Sequence, residues 1–240
     1  MDRAHGAHVG VNGKKSPVDQ KADLTVMSLH KTLPALTQTA VIHVGSNGVS
    51  SHAVQEALDI FDTSSPSYVL MDSVSCCMSL LSEKGKEVFE AYYKRLEAFY
   101  EKAKVFKKLE LLEADENKKD SGKLVMLTKG YITGPELAKI LREKYKLETE
   151  MSGFDYVLAM TSVADNDEGF ERLAKALSEI DKGLEETRNK SQIYKPDINK
   201  AKELWEAHNY DRELVAIEKA KNRISASEIC VYPQGSPVLM

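Results

Sequence analysis

The chain has 240 residues, of which 42% are hydrophobic and 29% charged, and its formal net charge is −4. This composition is that of a globular protein with a real core, and the slight acidity gives no support for a nucleic-acid surface. No apolar run reaches the roughly 18 residues of a membrane span, so no membrane segment is predicted. Without an export signal or a disulfide framework, we expect a reducing cytoplasmic location.

The first half of the sequence alternates short apolar runs with helical patterns. Residues 1–22 are rich in Gly, His and Lys, so they predict a loop with one short helix at 16–21. The runs 23–29 and 39–44 predict β-strands. Because these runs scarcely alternate polar and apolar residues, we expect both strands to be buried on both faces, in a sheet covered by helices.

Between residues 50 and 113, apolar side chains recur mainly at helical spacing. Residues 50–63 begin with serine caps and predict a helix, and 63–81 predict a turn followed by a second helix. Residues 83–113 predict the clearest helix of the chain, bent or broken near its end. Its apolar stripe indicates a connecting helix between two domains and consists of Val88, Tyr92, Leu96, Phe99 and Tyr100.

The second half carries a β-α-β-β-α pattern. A helix at 133–145 opens with the capping-box pair Thr133 and Glu136, and an amphipathic helix follows at 166–186. This order predicts a small antiparallel or mixed sheet with helices on one face. The charged stretch from 195 onward is partly helical and gives way to strand and turn chemistry near the C-terminus. The predicted strands of the sheet are 123–128, 147–152 and 156–163.

The stretch TVMSLHKTLPALTQTAVIHV, residues 25–44, places Lys31 in an apolar and hydroxyl-rich run. A lysine that snorkels from a loop is the common explanation for such a residue. An apolar environment, however, favours the neutral amine, which can attack a carbonyl group. Ser28 and His30 add hydrogen-bond donors that suit a phosphate oxygen. The pattern therefore suits a Schiff-base lysine beside a phosphate ester, and pyridoxal phosphate (PLP) has both an aldehyde and a phosphate.

An acidic residue near the N-terminus fits the same cofactor, although a disordered terminal acid is the alternative. The pyridine nitrogen of PLP needs a carboxylate partner that keeps the ring protonated and electron-withdrawing. In an extended DRAHGAH segment, Asp2 and Ala4 project to the same side, so Ala4 could lie against the ring, with His5 beside it. An acid followed about thirty residues later by a lysine at a strand end is typical of PLP enzymes with a doubly wound domain.

Three segments, DRAHGAHVG, ADLTVMSLHKTLPALTQTAVIHV and TSSPSYVLMDS, closely resemble the bacterial ornithine/lysine/arginine decarboxylase family, whose members use PLP. The second segment resembles the PLP attachment region of that family in almost every residue. The resemblance continues more loosely through GKLVMLTKGYITGPELAKILREKY and NRISASEICVYPQGSPVL. It implies PLP-dependent decarboxylation of arginine, lysine or ornithine to the corresponding amine, as in polyamine biosynthesis, by a homodimer or larger assembly.

The resemblance also implies roles for individual residues. Lys31 would form the Schiff base and, with His30, is a candidate for the general acid that protonates Cα. Asp2 would contact the pyridine nitrogen and Ala4 the face of the ring, while the phosphate would be bound by Ser28 and His30. The whole implied cofactor-binding set is Asp2, Ala4, His5, Ser28, His30 and Lys31.

The fold class implied by the resemblance is α/β. It comprises the C-terminal part of a PLP-dependent transferase-like (fold type I) large domain, followed by a smaller α+β domain. The expected boundaries are 1–107 for the PLP-binding portion and 108–240 for the small domain, where Trp205 is expected to pack. The turns at 63–66 and 232–237 match family turns near the active site.

The family pattern extends beyond both ends of this sequence, so we expect the chain to hold about half of a PLP site. A catalytically incomplete fragment that needs a partner chain is therefore the alternative to an active decarboxylase. A third interpretation keeps PLP but assigns transamination, and the residues around Lys31 argue against it. No metal is expected, because no matching Cys or carboxylate spacing accompanies His5, His8, His30 and His43.

Overall fold

The computed structural model of the chain describes most of the sequence. The short helix predicted at 16–21 lies outside the described residues. These are 1–11, 22–45, 48–113, 120–185, 201–207, 209–225, 229–231 and 236–239.

Two predicted strands form the first sheet, and the N-terminus extends it. β1 (Leu24–Ser28) pairs antiparallel with β2 (Ala40–Val44). Asp2 forms a parallel bridge to Val26 of β1, so residues 1–3 run beside this strand. Both strands lie where the β-branched and apolar runs predicted them.

The prediction that these strands are buried on both faces is wrong. Val26 is 46% exposed and Ile42 is 40% exposed, whereas Thr25 of β1 is only 1% exposed. The reason is that the rest of the described chain covers one face of this narrow sheet and leaves the other open. The scarce alternation in the sequence therefore does not reflect two-sided burial in this structure.

Two helices follow the strands of this sheet. α1 (Leu29–Thr32) is a single turn that continues directly from β1, and α2 (Ser51–Phe61) confirms the predicted helix. The hydroxyl of Ser50 caps α2 by accepting a hydrogen bond from the N–H of His52 at 3.2 Å. No residue of α2 is buried, and Phe61 is 87% exposed.

A single long helix replaces the two helices predicted between residues 63 and 113. α3 (Tyr68–Ala103) has 36 residues and runs without a break through Gly85. This glycine is buried, and a β-carbon there would lie 3.6 Å from the side chain of Val11, so a tertiary contact supports the helix at this point. The buried residues of its second half are Phe89, Tyr92, Leu96, Phe99 and Ala103.

A buried carboxylate fixes the chain just after α3. Asp181 is 5% exposed, and its Oδ1 accepts hydrogen bonds from the N–H groups of Lys108 and Leu109, both at 2.7 Å. The N–H of Lys107 donates to its Oδ2 at 3.0 Å. Asp181 thus binds amides that a longer helix would have bonded internally. The helix predicted at 83–113 therefore ends at Ala103: the break expected near its end is confirmed, and the bound at 113 is wrong.

The second sheet is small and antiparallel, as predicted. Its strand order is β3-β4-β6-β5, and every neighbouring pair is antiparallel. β5 is shorter than the predicted strand at 147–152, because only its last two residues pair with β6. The strands are β3 (Glu110–Leu111), β4 (Lys123–Leu127), β5 (Met151–Ser152) and β6 (Tyr156–Met160).

Two predicted helices, α4 (Gly134–Tyr145) and α5 (Asp167–Gly183), pack with this sheet. The capping box of α4 is confirmed: the N–H of Glu136 donates to Thr133 Oγ1 at 3.3 Å, and the N–H of Thr133 donates to Glu136 Oε2 at 3.1 Å. The pKa of Glu136 is lowered by the hydroxyl of Thr133, which donates to Oε2 at 2.7 Å, and then by the N–H of Thr133. The core between helices and sheet includes Phe99, Leu124, Met126, Leu137, Leu141, Val157, Phe170 and Leu177.

The C-terminal part consists of short elements. A helical turn, α6 (Leu204–Ala207), is followed by a 3-10 turn at Ile217–Lys219, and two short strands pair antiparallel: β7 (Ile229–Val231) and β8 (Ser236–Leu239). Trp205 is 69% exposed, so its predicted packing role is wrong, because the surrounding described residues leave it uncovered. Within the described ranges, no helix is long and apolar enough to span a membrane.

Candidate active site

Strand β1 carries Lys31 to the end of the first sheet. Ser28 is the last residue of β1 and occupies the N-cap position of α1, the turn that contains Lys31. Leu29 and Thr32 are buried, at 3% and 2% exposed, because they lie three residues apart on the inner side of this turn. Lys31 lies on the outer side and is exposed. The expected apolar environment is therefore wrong for the ammonium group itself.

Backbone pairing fixes Asp2 next to β1. The N–H of Val26 donates to the carbonyl of Met1 at 3.0 Å, and the N–H of Arg3 donates to the carbonyl of Val26 at 2.8 Å. The carboxylate of Asp2 is exposed, and its Oδ1 accepts the N–H of Ala4 at 2.8 Å. This bond engages one of its two oxygens, and the exposed carboxylate can accept a further hydrogen bond from a ligand through Oδ2.

His30 is oriented by a carbonyl group from the far side of the β1–β2 connection. Its Nδ1 lies 3.0 Å from the carbonyl oxygen of Thr39, which can only accept, so Nδ1 must carry the proton. In the neutral ring, Nε2 is then an acceptor. It becomes a donor only when the ring is doubly protonated.

Charges from four separate segments converge on His5. Burial lowers the pKa of His5 first, and the positive charges of Lys123 and Lys31 lower it further, while Glu150 and Asp2 act in the opposite direction. Asp2, His5 and Lys31, which the sequence assigned to one site, therefore lie in one electrostatic environment. Lys123 and Glu150 join them without any local motif that could have indicated it.

Lys123, at the start of β4, is itself perturbed. Burial lowers the pKa of Lys123; Asp120 and Glu150 oppose this change, and Lys31 adds to it. This change favours the neutral amine of Lys123 relative to that of an ordinary lysine.

A buried pair lies behind these charges. His8 is 4% exposed, and its Nε2 lies 3.2 Å from Oδ2 of Asp120. Burial by itself would raise the pKa of Asp120, but the hydrogen bond and charge of His8, the amide of Gly122 and the ammonium of Lys123 together lower it. No sequence motif signals this pair, because its members lie far apart along the chain.

The sequence predicts that two turns lie near the active site. Residues 63–66 are exposed just before α3. Most of the turn at 232–237 lies outside the described residues. Their proximity to the active site stays a prediction.

Comparison with known proteins identifies the family. The family model described as Orn/Lys/Arg decarboxylase, major domain, matches residues 2–123. The chain belongs to the Orn/Lys/Arg decarboxylase family. Its similar proteins include the arginine decarboxylases of Bacillus subtilis, 26% identical over the whole chain, and of Halalkalibacterium halodurans, 29% identical over the whole chain. The chain spans about half the length of these relatives, 52% of each.

Solved structures of decarboxylases and an aminotransferase share the fold of this family member. The lysine decarboxylase of Francisella novicida superposes with a TM-score of 0.58 at 16% identity, covering 66% of this chain and 28% of that one. An alanine–glyoxylate aminotransferase of Nostoc superposes with a TM-score of 0.50 at 13% identity, covering 66% of this chain and 48% of that one. These likenesses confirm the predicted α/β, fold type I class.

Proposed function

We propose that the chain carries the part of a PLP site that contains the attachment residue Lys31. The complete site would decarboxylate a basic amino acid, namely arginine, lysine or ornithine, to the corresponding amine. One observation carries the proposal: Asp2 pairs with Val26 of β1, the strand that leads directly into the turn holding Lys31, in a member of the Orn/Lys/Arg decarboxylase family. The relatives named as arginine decarboxylases support a basic amino acid as the substrate.

The donor set fits PLP. When bound, this cofactor supplies an aldehyde that takes up an amine and a ring that withdraws electrons from Cα. Lys31 would be the attachment residue, Asp2 would hold a proton on the ring nitrogen, and Ala4 would line the face of the ring. Ser28 and His30 would bind phosphate oxygens. Lys31 or His30 would be the acid that supplies a proton to Cα once carbon dioxide has left.

The proton positions on the two histidines support separate roles. Because its pKa is lowered, His5 stays neutral and can lie near the ring without opposing the proton that Asp2 holds there. The Nδ1–H of His30 donates to the carbonyl of Thr39. A hydrogen bond from Nε2 to a phosphate oxygen therefore requires the doubly protonated ring. A phosphate dianion beside His30 favours that form.

Lys123 competes with Lys31 for the role of attachment residue. The lowered pKa of Lys123 favours its neutral amine, whereas the assignment of Lys31 rests on its position after β1 and on the family match. An experiment must therefore distinguish these two lysines, and not merely detect covalent cofactor.

Chemical trapping separates the two lysines. The full chain is mixed with PLP and reduced with borohydride, and the modified peptide is identified by mass spectrometry. We expect the label on Lys31, a visible absorbance band that borohydride abolishes, loss of that band in Lys31→Ala and its retention in Lys123→Ala. A label on Lys123, or a band that persists in Lys31→Ala, contradicts the assignment.

The alternative is a catalytically incomplete chain that needs a partner or a second copy. It is supported by exposed apolar side chains on α2 and at the start of α3. Carbon dioxide release from arginine, lysine and ornithine distinguishes the two proposals. Release by the purified chain supports the decarboxylase, whereas covalent PLP without release from any of the three supports the incomplete site.

A further inference from the structure

The segment that carries Asp2, Ala4 and His5 folds as one unit. The guanidinium of Arg3 donates to the carbonyls of Gly6 at 2.8 Å and Val9 at 3.4 Å. The N–H of Gly6 donates to the carbonyl of Arg3 at 2.8 Å, and the N–H of Val9 donates to that of Gly6 at 3.1 Å. Because these turns connect residues 3–9, a displacement at one end of the segment moves the other end.

His8 attaches this unit to the C-terminal half of the chain. Its imidazole is the most buried polar group of the segment, at 4% exposed, and its Nε2 meets Asp120 Oδ2 at 3.2 Å. A carboxylate in this position accepts, so Nε2 carries the proton. The opposite nitrogen, Nδ1, has no partner among the described residues, so within that part of the chain the ring is held by Asp120.

Asp120 is a fixed anchor. Its Oδ1 accepts the N–H of Gly122 at 2.9 Å, and its carbonyl accepts the N–H of Lys123 at 3.0 Å, at the start of β4. The hydroxyl of Tyr100 on α3 donates to the neighbouring carbonyl of Ser121 at 3.1 Å. Asp120 is therefore held by hydrogen bonds at the start of β4 and, through its neighbour Ser121, to α3. We expect its position to change little when residues 3–9 move.

We propose that His8 is a positioning residue that, through Asp120, clamps the cofactor-binding segment 2–5 onto the start of β4. The clamp would hold His5 at a constant distance from Lys123, which belongs to a different part of the chain, while the pairing of Asp2 with β1 holds Asp2 near Lys31. This inference rests on the proposed PLP site, because it assigns His8 a role in cofactor affinity without contact with the cofactor.

Substitutions that differ in hydrogen bonding test the clamp in the full-length chain. His8→Leu keeps the approximate volume and removes the donor, and His8→Gln keeps a donor at the position of Nε2. Tyr100→Phe is the matched control, because it removes a hydrogen bond to Ser121, beside Asp120, without touching the segment. Two quantities are measured: amide hydrogen exchange of residues 3–11, which needs no cofactor, and the PLP concentration that half-saturates the borohydride-sensitive band.

We expect His8→Leu to speed exchange in residues 3–11 and to weaken PLP binding, each by about tenfold, since a buried hydrogen bond to a charged group is lost. We expect His8→Gln to recover most of both effects. Tyr100→Phe should leave PLP binding within about twofold of the wild type, because the segment remains anchored.

Two results would overturn the proposal. One is unchanged exchange in His8→Leu; the other is faster exchange with unchanged PLP affinity, which would leave His8 a purely structural residue. If His8→Leu does not fold, Asp120→Asn replaces it, since it keeps the shape and removes the charge, and the same two outcomes decide. A wild-type chain without the absorbance band would refute the proposed PLP site, while the exchange measurement would still decide the clamp.

Discussion

At the scale of single residues, the charge of Asp120 reaches beyond His8 to Tyr100. Burial raises the pKa of Tyr100 to about 12 from the usual 10.0, and the negative charge of Asp120 contributes to this rise. In the unfolded chain the phenol loses its proton near 10, whereas the folded chain keeps it to a higher pH. Between these two values the folded state binds more protons, so its stability falls as the pH rises.

This linkage predicts an alkaline loss of stability that depends on Tyr100. The contribution is complete below pH 10.0 and disappears as the pH approaches about 12. Since Tyr100 is only half-buried, we expect the free energy of unfolding to fall by about 1 kcal/mol more in the wild type than in Tyr100→Phe between about pH 9 and pH 11. Chemical denaturation across that range measures both slopes. Equal slopes would contradict the assignment of the perturbation to Tyr100.

At the scale of elements, α3 is one helix with two different environments. Its second half buries Phe89, Leu96 and Phe99 against the second sheet and its helices, whereas near its start Tyr68 is 82% exposed and Val69 is 67% exposed. An unpacked helical segment is only marginally stable in water, because most helical stability comes from tertiary packing. Cooperative unfolding should therefore begin at the N-terminal end of α3.

Hydrogen exchange should resolve these two halves. We expect amides at 68–80 to exchange faster than those at 89–103 by about a hundredfold or more, since the first exchange by local opening and the second by larger unfolding. Peptide-level exchange of the purified chain measures this difference. Equal protection along α3 would show that something covers the N-terminal half, and such a result would itself argue for association in solution.

The helices and strands also show which features local sequence patterns can predict. The capping box at Thr133 and the strand β4 can be predicted correctly, because each depends on residues close together in the chain. The continuity of α3 cannot, since the polar residues Ser82 and Glu83 separate two apolar patterns, whereas the close approach of Gly85 to Val11 depends on tertiary structure. The predicted division near residue 107 stays a prediction.

The candidate site likewise combines residues that are close in sequence with residues that only tertiary structure brings together. Ser28, His30 and Lys31 lie within four consecutive residues, so a local pattern together with the family resemblance suffices to make them candidates for phosphate and amine chemistry. The pairing of His8 with Asp120, and the electrostatic influence of Lys123 and Glu150 on His5, both arise between distant parts of the chain. No periodicity or motif encodes such contacts, because tertiary packing alone creates them.

At the scale of the whole molecule, α2 and the start of α3 form an exposed apolar surface. Solvent-exposed apolar side chains that occur in clusters indicate association. The family resemblance implies a dimer or larger assembly, and this surface is where we propose that the contact forms. Its most exposed apolar residues are Ile60, Phe61, Tyr68, Val69 and Met71, between 53% and 87% exposed.

A charge placed on this surface should weaken association. We expect Phe61→Glu to shift the chain toward the monomer in sedimentation velocity, with an apparent dissociation constant raised by about tenfold or more, since a central apolar anchor is lost and a charge must be desolvated. Ser51→Glu, also on α2, introduces the same charge at an exposed polar position and should have little effect. A wild-type chain that stays monomeric, or a Phe61→Glu chain that sediments as the wild type does, would count against this interface.

The hydrogen bond from His30 to Thr39 links the chemistry of the site to the length of a loop. Residues 33–39 connect α1 to β2, and the chain turns there through Gln38 at a φ of 79°. An inserted or deleted residue in this loop would replace the carbonyl that faces Nδ1, and the other tautomer of His30 would then become accessible. The length of this loop therefore bears on the chemistry of His30, because an insertion that leaves every site residue unchanged would change the group that faces Nδ1.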